Sequence, residues 1–198
     1  SSNAGAANSD VYALSDAYVS AYAALDPTGA TAVGIDDHPT ALTDYSPEAL
    51  EERANLARSA LVALQRIETT QTRDRIASEF MQERLSVGLS LESLGEQYRE
   101  LNVLGGPIQA TREVFDLMPR ENENDWDQIS VRMSGVAASL ASVRKSLESG
   151  VQRGLLAPSR QVEGVARQCA AWAGNTGLQP FFISVASEFD SSNIESKS

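Results

Sequence analysis

The sequence predicts an all-α protein, a bundle of about six helices in which neighbouring helices are mostly antiparallel. Apolar residues recur at steps of three and four along most of the chain, which is the spacing of one helix face. Serine, proline and glycine stand at the ends of these periodic segments, where helices begin and end. No segment alternates apolar and polar residues over the length of a strand, so a sheet is not expected.

The first two predicted helices are separated by a long connection. Asp26-Pro27 stops the first helix at residue 25, and residues 26–45 are rich in Gly, Pro, Thr and Asp, which favours a loop. Ser46-Pro47-Glu48 begins the second helix, because serine caps N–H groups, proline tolerates the first turn and glutamate meets the positive helix end. The apolar positions of the first helix are Val11, Leu14, Tyr18, Tyr22 and Leu25.

Four more helices are predicted towards the C-terminus. The third runs from about residue 72 to 94, although Gly88 within it costs about 1 kcal/mol relative to alanine. The fourth covers residues 107–117, the fifth extends to residue 151, and the sixth opens at Pro158-Ser159. The apolar contacts of the third helix are predicted at Ile76, Phe80, Leu85, Leu89 and Leu91. Those of the fifth are predicted at Trp126, Ile129, Met133, Val136, Leu140, Val143, Leu147 and Val151.

Gly105, Gly106 and Pro107 interrupt the helical pattern and raise the question of a phosphate-binding loop. Such loops follow a strand and carry further glycines or a Gly-Lys-Ser/Thr ending, whereas here two adjacent glycines follow a helix. Proline also lacks an N–H group that a phosphate would use. These three residues are therefore interpreted as a structural break, in which Pro107 starts the next helix.

The stretch "LQPFFISVASEF", residues 178–189, is apolar and has no helix cap, so both a helix and an extended segment are compatible with it. Large exposed apolar patches usually mark interfaces. We therefore predict an interface with another region of the protein at Leu178, Phe181, Phe182 and Phe189. Residues 10–190 are expected to form a single helical domain. Residues 1–9, which include a stretch similar to a tag-cleavage remnant, and residues 191–198 are expected to be disordered.

The composition argues against several classes of partner. Sixteen Lys and Arg residues against 27 Asp and Glu residues give a net charge of −11, which repels nucleic acid. No apolar run approaches the roughly 18 residues that span a bilayer, so a membrane role is not expected. Cys169 is the only cysteine, which weakly favours a cytoplasmic location. A signal peptide removed with a natural N-terminus would leave no trace in this sequence.

No reaction centre emerges from the remaining candidates. Asp36, Asp37 and His38 are adjacent, but neighbouring residues rarely converge on one ion, and the single histidine cannot complete a zinc site. A calcium loop counted from Glu121 lacks the required glycine and the final glutamate. Cys169 lies on the apolar side of a predicted helix, where cysteine packs as a small hydrophobe. No catalytic, metal-binding or cofactor-binding residue is therefore assigned.

Several motifs occur in the order found in one bacterial family. The stretch "DPTGATAVG" at residues 26–34, followed by Ser46-Pro47-Glu48, resembles the start of the family called domain of unknown function 885. "LNVLGGPIQ" resembles a further segment of that family, with Val103 in place of its usual proline. "LESGVQRGLLAPSRQVEGV" resembles the family's connection between two helices. Together these motifs cover most of residues 10–174.

The resemblance implies that the chain is the N-terminal region of a longer protein. Members of the family resemble zinc metallopeptidases of the gluzincin type, whose His-Glu-x-x-His helix lies in the C-terminal part. That motif is absent from this sequence. The chain is thus expected to be a non-catalytic scaffold that walls a substrate channel. Its partners would be the rest of its own protein and a peptide, with zinc only in the full-length protein. The alternative is a self-sufficient acidic helical module that binds a basic protein or peptide and releases it with salt.

Overall fold

The computed structural model describes residues 9–35 and 37–191. This part of the chain contains helices and no strand, which confirms the predicted all-α class. A short 3₁₀ turn, Glu96–Tyr98, lies between the fourth and fifth helices. In chain order the helices are α1 (Asp10–Leu25), α2 (Pro27–Ala32), α3 (Pro47–Leu64), α4 (Thr72–Ser93), α5 (Pro107–Leu117), α6 (Glu123–Ser134), α7 (Val136–Gln152), α8 (Ser159–Trp172) and α9 (Phe181–Ser191).

The predicted number of about six helices is wrong, for three local reasons. α2 lies where the sequence predicts a loop, because Asp26 Oδ1 accepts a hydrogen bond from Gly29 N at 3.1 Å and Pro27 takes the first helical position. Gly135 divides the predicted fifth helix into α6 and α7. The apolar segment near the C-terminus forms α9, so the helical alternative holds there.

Part of the predicted domain organisation lies outside the described residues. This applies to residues 1–8 and 192–198 of the two segments that were expected to be disordered, and to Asp36. Ser191, the first residue of the predicted disordered tail, is instead the last residue of α9. The single helical domain over residues 10–190 stays a prediction.

Helices α1, α3 and α4 pack on one another. Arg53, near the start of α3, donates a hydrogen bond to Leu25 O at the end of α1 over 2.9 Å, so these two helices are antiparallel. Arg73, at the start of α4, lies 4.4 Å from the ring centre of Tyr12 in the first turn of α1, so α1 and α4 run in the same direction. Their shared core contains Ala57, Ala60 and Leu85, surrounded by Tyr18, Leu61, Met81 and Leu89.

The outer face of α4 differs from the sequence prediction. Ile76, Phe80 and Leu91 are predicted to make apolar contacts, but 58%, 66% and 51% of their surfaces are exposed. Leu85 is the buried residue of this helix. The periodic pattern therefore identified the helix correctly and assigned too many of its residues to the core.

A second core lies between α5, α6 and α9. The ring of Phe182 meets that of Phe115 edge-on, with 5.6 Å between centroids, and the ring of Phe189 meets that of Trp126 at 5.5 Å. Aromatic pairs favour this edge-to-face arrangement. The buried residues of this core are Val114, Phe115, Met118, Trp126, Ile129, Val136 and Val185.

Residues 41–45 run alongside α7 and are held by buried serine side chains. Ser139 Oγ donates to Thr43 O at 2.8 Å, and Ser146 Oγ donates to Tyr45 O at 2.6 Å. Tyr45 N donates to Ser142 Oγ at 2.8 Å. These bonds satisfy main-chain groups that would otherwise be buried without partners, a situation that costs about 1–3 kcal/mol per group.

Arg132 of α6 binds both α2 and the connection between α2 and α3. Its side chain is fully buried, at 0% exposure. Nε donates to Ala41 O at 2.9 Å, and one terminal nitrogen donates to Thr31 Oγ1 at 2.9 Å and to His38 O at 3.2 Å. One guanidinium group thus fixes one point of α2 and two points of the connection after it, which has little regular structure of its own.

Candidate binding groove

A groove with a volume of about 790 Å³ lies between α1, α3, α4 and the 3₁₀ turn. Its walls combine leucine and alanine side chains with two tyrosines and several charged groups. Sites for small molecules and peptides typically have this size and this mixture of apolar and polar groups. The lining residues used below are Tyr18, Tyr22, Arg53, Gly88, Gln97 and Glu100.

Tyr18 and Tyr22 form the aromatic part of the wall, since one turn of α1 separates them. Their ring centroids are 5.8 Å apart, with 35° between the ring planes. Burial raises the pKa of both hydroxyls. For Tyr22 the negative charges of Asp26 and Glu100 raise the pKa further. Both side chains are therefore neutral at physiological pH and offer an aromatic face together with a hydroxyl.

Of the three arginines that line the groove, Arg53 and Arg99 are engaged within the protein, and Arg84 is the third. Arg53 donates from one terminal nitrogen to Leu25 O and to Asp44 O, each at 2.9 Å. Arg99 pairs with Glu96, three residues earlier in the chain. These contacts orient the arginine side chains and occupy part of their hydrogen-bonding capacity.

Glu100 lies two residues after the end of the 3₁₀ turn and lines both the groove and a small cavity of about 20 Å³. Much of its surface is accessible to solvent, yet the groove walls surround the carboxylate closely enough that burial raises its pKa. Among the described residues, none donates a hydrogen bond to this carboxylate or forms an ion pair with it. Glu100 is thus a partly desolvated anion without an ion-pair partner among the described residues.

Gln97 lines the same groove and the same small cavity. Its Nε2 donates to Glu92 O at 3.1 Å, which assigns the orientation of the amide. Its Oε1 is buried and accepts no hydrogen bond from the part of the chain that the structure describes. The 3₁₀ turn and the residues just after it therefore present two acceptor groups, the side-chain carbonyl of Gln97 and the carboxylate of Glu100, without donors from the described residues.

The predicted break at Gly105, Gly106 and Pro107 lies between the 3₁₀ turn and α5. Pro107 is the first residue of α5, and Gly106 before it has φ = 152°, which favours glycine. The side chain of Asn102 accepts hydrogen bonds from Leu104 N and Gly105 N, each at 2.9 Å. Pro107 also lines the small cavity beside Glu100.

The predicted interface residues belong to α9 and to the connection before it. Phe181 and Phe182 are partly buried against the second core, and Arg112 lies 4.1 Å from the ring centre of Phe181. Leu178 and Phe189 are 66% and 47% exposed. The structure thus gives the aromatic residues contacts within the chain, and the interface with another region stays a prediction.

The other candidates from the sequence do not converge. His38 and Asp37 are exposed in the connection between α2 and α3. Within the described residues, no group of three or more His, Cys, Asp and Glu side chains is arranged to hold a metal ion. Burial raises the pKa of the Cys169 thiol, which disfavours the reactive thiolate. None of the described helices is both long and apolar enough to cross a membrane.

The acidic stretch around Glu121 has a structural explanation. Asn122 caps α6, since its side chain accepts a hydrogen bond from Asp125 N at 3.1 Å. The Asp125 carboxylate in turn accepts from Asn122 N at 3.3 Å and from Glu121 N at 2.8 Å. This reciprocal arrangement is a capping box, which satisfies the first N–H groups of a helix.

The residues that line the groove were not singled out as a site by sequence reasoning. Tyr22 was assigned to the apolar face of the first helix, and Gln97 and Glu100 lie in a stretch without a motif. Gly95, which has φ = 75°, ends α4 and turns the chain into the 3₁₀ turn. A glycine after a helical segment indicates that the helix ends there, so Gly95 was a signal in the sequence that Gln97 and Glu100 lie outside α4.

The family comparison agrees with the order of motifs along the chain. A family model described as "Bacterial protein of unknown function (DUF885)" matches residues 27–196. This match covers α2 to α9 and all groove residues outside α1. No curated protein matches the sequence.

Proposed function

Because the chain belongs to the bacterial DUF885 family of proteins of unknown function, we propose that it is a non-catalytic helical region that walls a peptide-binding channel. The catalytic part would be a zinc-peptidase-like region of the same protein. The groove between α1, α3 and α4 carries this proposal, because its volume of about 790 Å³ accommodates several residues of an extended peptide. Its leucines would contact apolar side chains, and its polar groups would bind the peptide backbone.

The donor set of the described residues does not fit a catalytic zinc ion. Such an ion needs three protein ligands, usually His, Glu or Asp, and the single histidine of the chain is an exposed loop residue. In the proposed arrangement, zinc and its ligands belong to another region. The groove residues bind and orient the peptide.

One observation favours a second candidate function. The net charge of −11 would attract a basic protein or peptide to the surface as a whole. Binding of that kind depends on many exposed carboxylates and weakens steeply with ionic strength. Binding in the groove depends on apolar contacts as well, so salt affects it less.

Peptide binding and peptide hydrolysis test the proposal separately. We expect the chain with added zinc to hydrolyse no peptide, and we expect ¹⁵N–¹H spectra to show peptide-induced shifts at groove residues. Gly88→Trp would obstruct the groove, because Gly88 lines it and a Cβ atom there meets no atom within 4 Å. Gly88→Ala is the matched control, since it changes the same position without filling the space.

Loss of binding in Gly88→Trp and retention in Gly88→Ala support the groove as the binding site. Equal binding by both variants, with shifts spread over acidic surface residues and removed by salt, would support the interaction module instead. Zinc-dependent hydrolysis by the chain itself would contradict the assignment of a non-catalytic role.

A further inference from the structure

We propose that Glu100, Gln97 and Tyr22 form a subsite for a primary ammonium or guanidinium group within the groove. The group would be the N-terminal amine of a bound peptide or the side chain of a lysine or arginine. This inference rests on the proposed peptide-binding function and specifies which chemical group the groove selects.

The first argument is the balance of hydrogen-bond donors and acceptors at the 3₁₀ turn. The Glu100 carboxylate offers two acceptor oxygens, and Gln97 Oε1 offers a third close by in the chain. None of these oxygens has a donor among the described residues. An ammonium group carries three donors and a guanidinium group five, and neither has an acceptor, so both match this arrangement.

The second argument is the aromatic wall beside the carboxylate. Tyr22 lines the same groove as Glu100, and the ring of Tyr18 packs against that of Tyr22 with 5.8 Å between ring centroids. A cation over a tyrosine ring gains about 0.5–2 kcal/mol, depending on how far it is desolvated. A carboxylate and a tyrosine ring in one groove therefore favour a cation over a neutral group of the same size.

The third argument is that none of the three groove arginines, Arg53, Arg84 and Arg99, forms an ion pair with Glu100 among the described residues. Arg53 is bonded to two main-chain oxygens, and Arg99 is paired with Glu96. Burial alone accounts for the raised pKa of Glu100, with no opposing effect from a nearby positive charge. The net charge of −11 would also raise the local concentration of cationic ligands.

Three peptides that are derived from one apolar sequence test the inference in titration calorimetry. One has a free N-terminus, one is N-acetylated, and one is N-acetylated with a central lysine. We expect at least one of the two cationic peptides to bind about ten-fold more tightly than the neutral peptide. The free-terminus and lysine peptides distinguish the two sources of the cation.

Glu100→Gln preserves the shape of the side chain and removes its charge. We expect this variant to lose the preference for the cationic peptides and to keep its affinity for the neutral peptide. Glu83→Gln, on the exposed surface of α4 and outside the groove lining, removes one charge elsewhere and should leave the preference intact. n-Pentylamine provides a probe without a peptide, and it should shift the resonances of Gln97 and Glu100 in the wild type.

The outcomes separate the two proposals. Equal affinity for all three peptides, or an unchanged preference in Glu100→Gln, overturns the cation subsite even if Gly88→Trp abolishes binding and so supports the groove. If pentylamine shifts the groove resonances in the wild type only, while no peptide binds, the subsite stands and the peptide-binding function fails. Equal loss of preference in Glu83→Gln and Glu100→Gln would show a general charge effect and also overturn the subsite.

Discussion

Two glycines in helices, Gly88 and Gly150, should respond to the same substitution with opposite signs. A Cβ atom at Gly150 of α7 would lie 2.2 Å from Tyr98 O and 2.9 Å from Leu155 O, and both opposing atoms belong to the backbone. A Cβ atom at Gly88 of α4 meets nothing within 4 Å. Alanine in a helix is about 1 kcal/mol more favourable than glycine. At Gly88 this gain stands alone, whereas at Gly150 the steric overlap opposes it.

The overlap at Gly150 is large, because normal Cβ contacts are longer than 3.0 Å. Overpacking of this kind costs about 1–3 kcal/mol, and a rigid main-chain neighbour favours the upper end. After subtraction of the helix gain, Gly150→Ala should lower the free energy of unfolding by about 2 kcal/mol. Gly88→Ala should raise it by about 0.5–1 kcal/mol.

Urea denaturation followed by circular dichroism measures both changes, provided that the m-value stays constant. Wild-type or higher stability in Gly150→Ala would refute the close contact between α7 and the 3₁₀ turn. Reduced stability in Gly88→Ala would refute the open space in the groove. The result also bears on function, since Tyr98 belongs to the turn that carries Gln97 and precedes Glu100.

Two further predictions concern the charged side chains of Arg132 and Glu100. Arg132→Met leaves three acceptors without their donor and should lower the free energy of unfolding, measured by urea denaturation, by about 3 kcal/mol or more. Arg144→Met, at a side chain that is 80% exposed, should change it by less than about 0.5 kcal/mol. Equal effects of the two substitutions would contradict the anchoring role of Arg132. Because burial raises the pKa of Glu100, ionisation of this carboxyl opposes folding. Glu100→Gln should therefore be more stable than the wild type at pH 7, and this gain in stability should disappear as the pH falls below about 4. A gain that persists at pH 3 would contradict this reasoning.

The helix starts were predictable because their chemistry is local. Ser46 and Pro47 begin α3, Pro107 begins α5, and α8 begins at Ser159, as the sequence indicated. Each start depends on a cap or on the fixed φ of proline, which a window of a few residues contains. α2 was missed because its cap, Asp26, also reads as the stop signal of α1.

The buried face of α7 was only partly predictable. Hydropathy assigned Leu140 and Val151 to the core, but 36% and 63% of their surfaces are exposed. The buried positions include Ser139, Ser142 and Ser146, because this helix packs against the main chain of residues 41–45. Apolar periodicity detects contacts between side chains. It has no signal for a helix that binds a backbone from about 95 residues earlier in the chain.

The groove was not predictable from the sequence, because its residues come from separate helices and carry no motif. Tyr22 and Glu100 are 78 positions apart, and the packing of both α1 and the 3₁₀ turn against α4 brings them to one groove. Their arrangement is also unfavourable for the isolated fold, since Glu100 is partly desolvated and has no ion-pair partner among the described residues. A carboxylate in that situation lowers stability and is typical of binding sites, where the ligand supplies the missing charge. For this reason the stability gain of Glu100→Gln and its loss of cation preference should occur in the same variant.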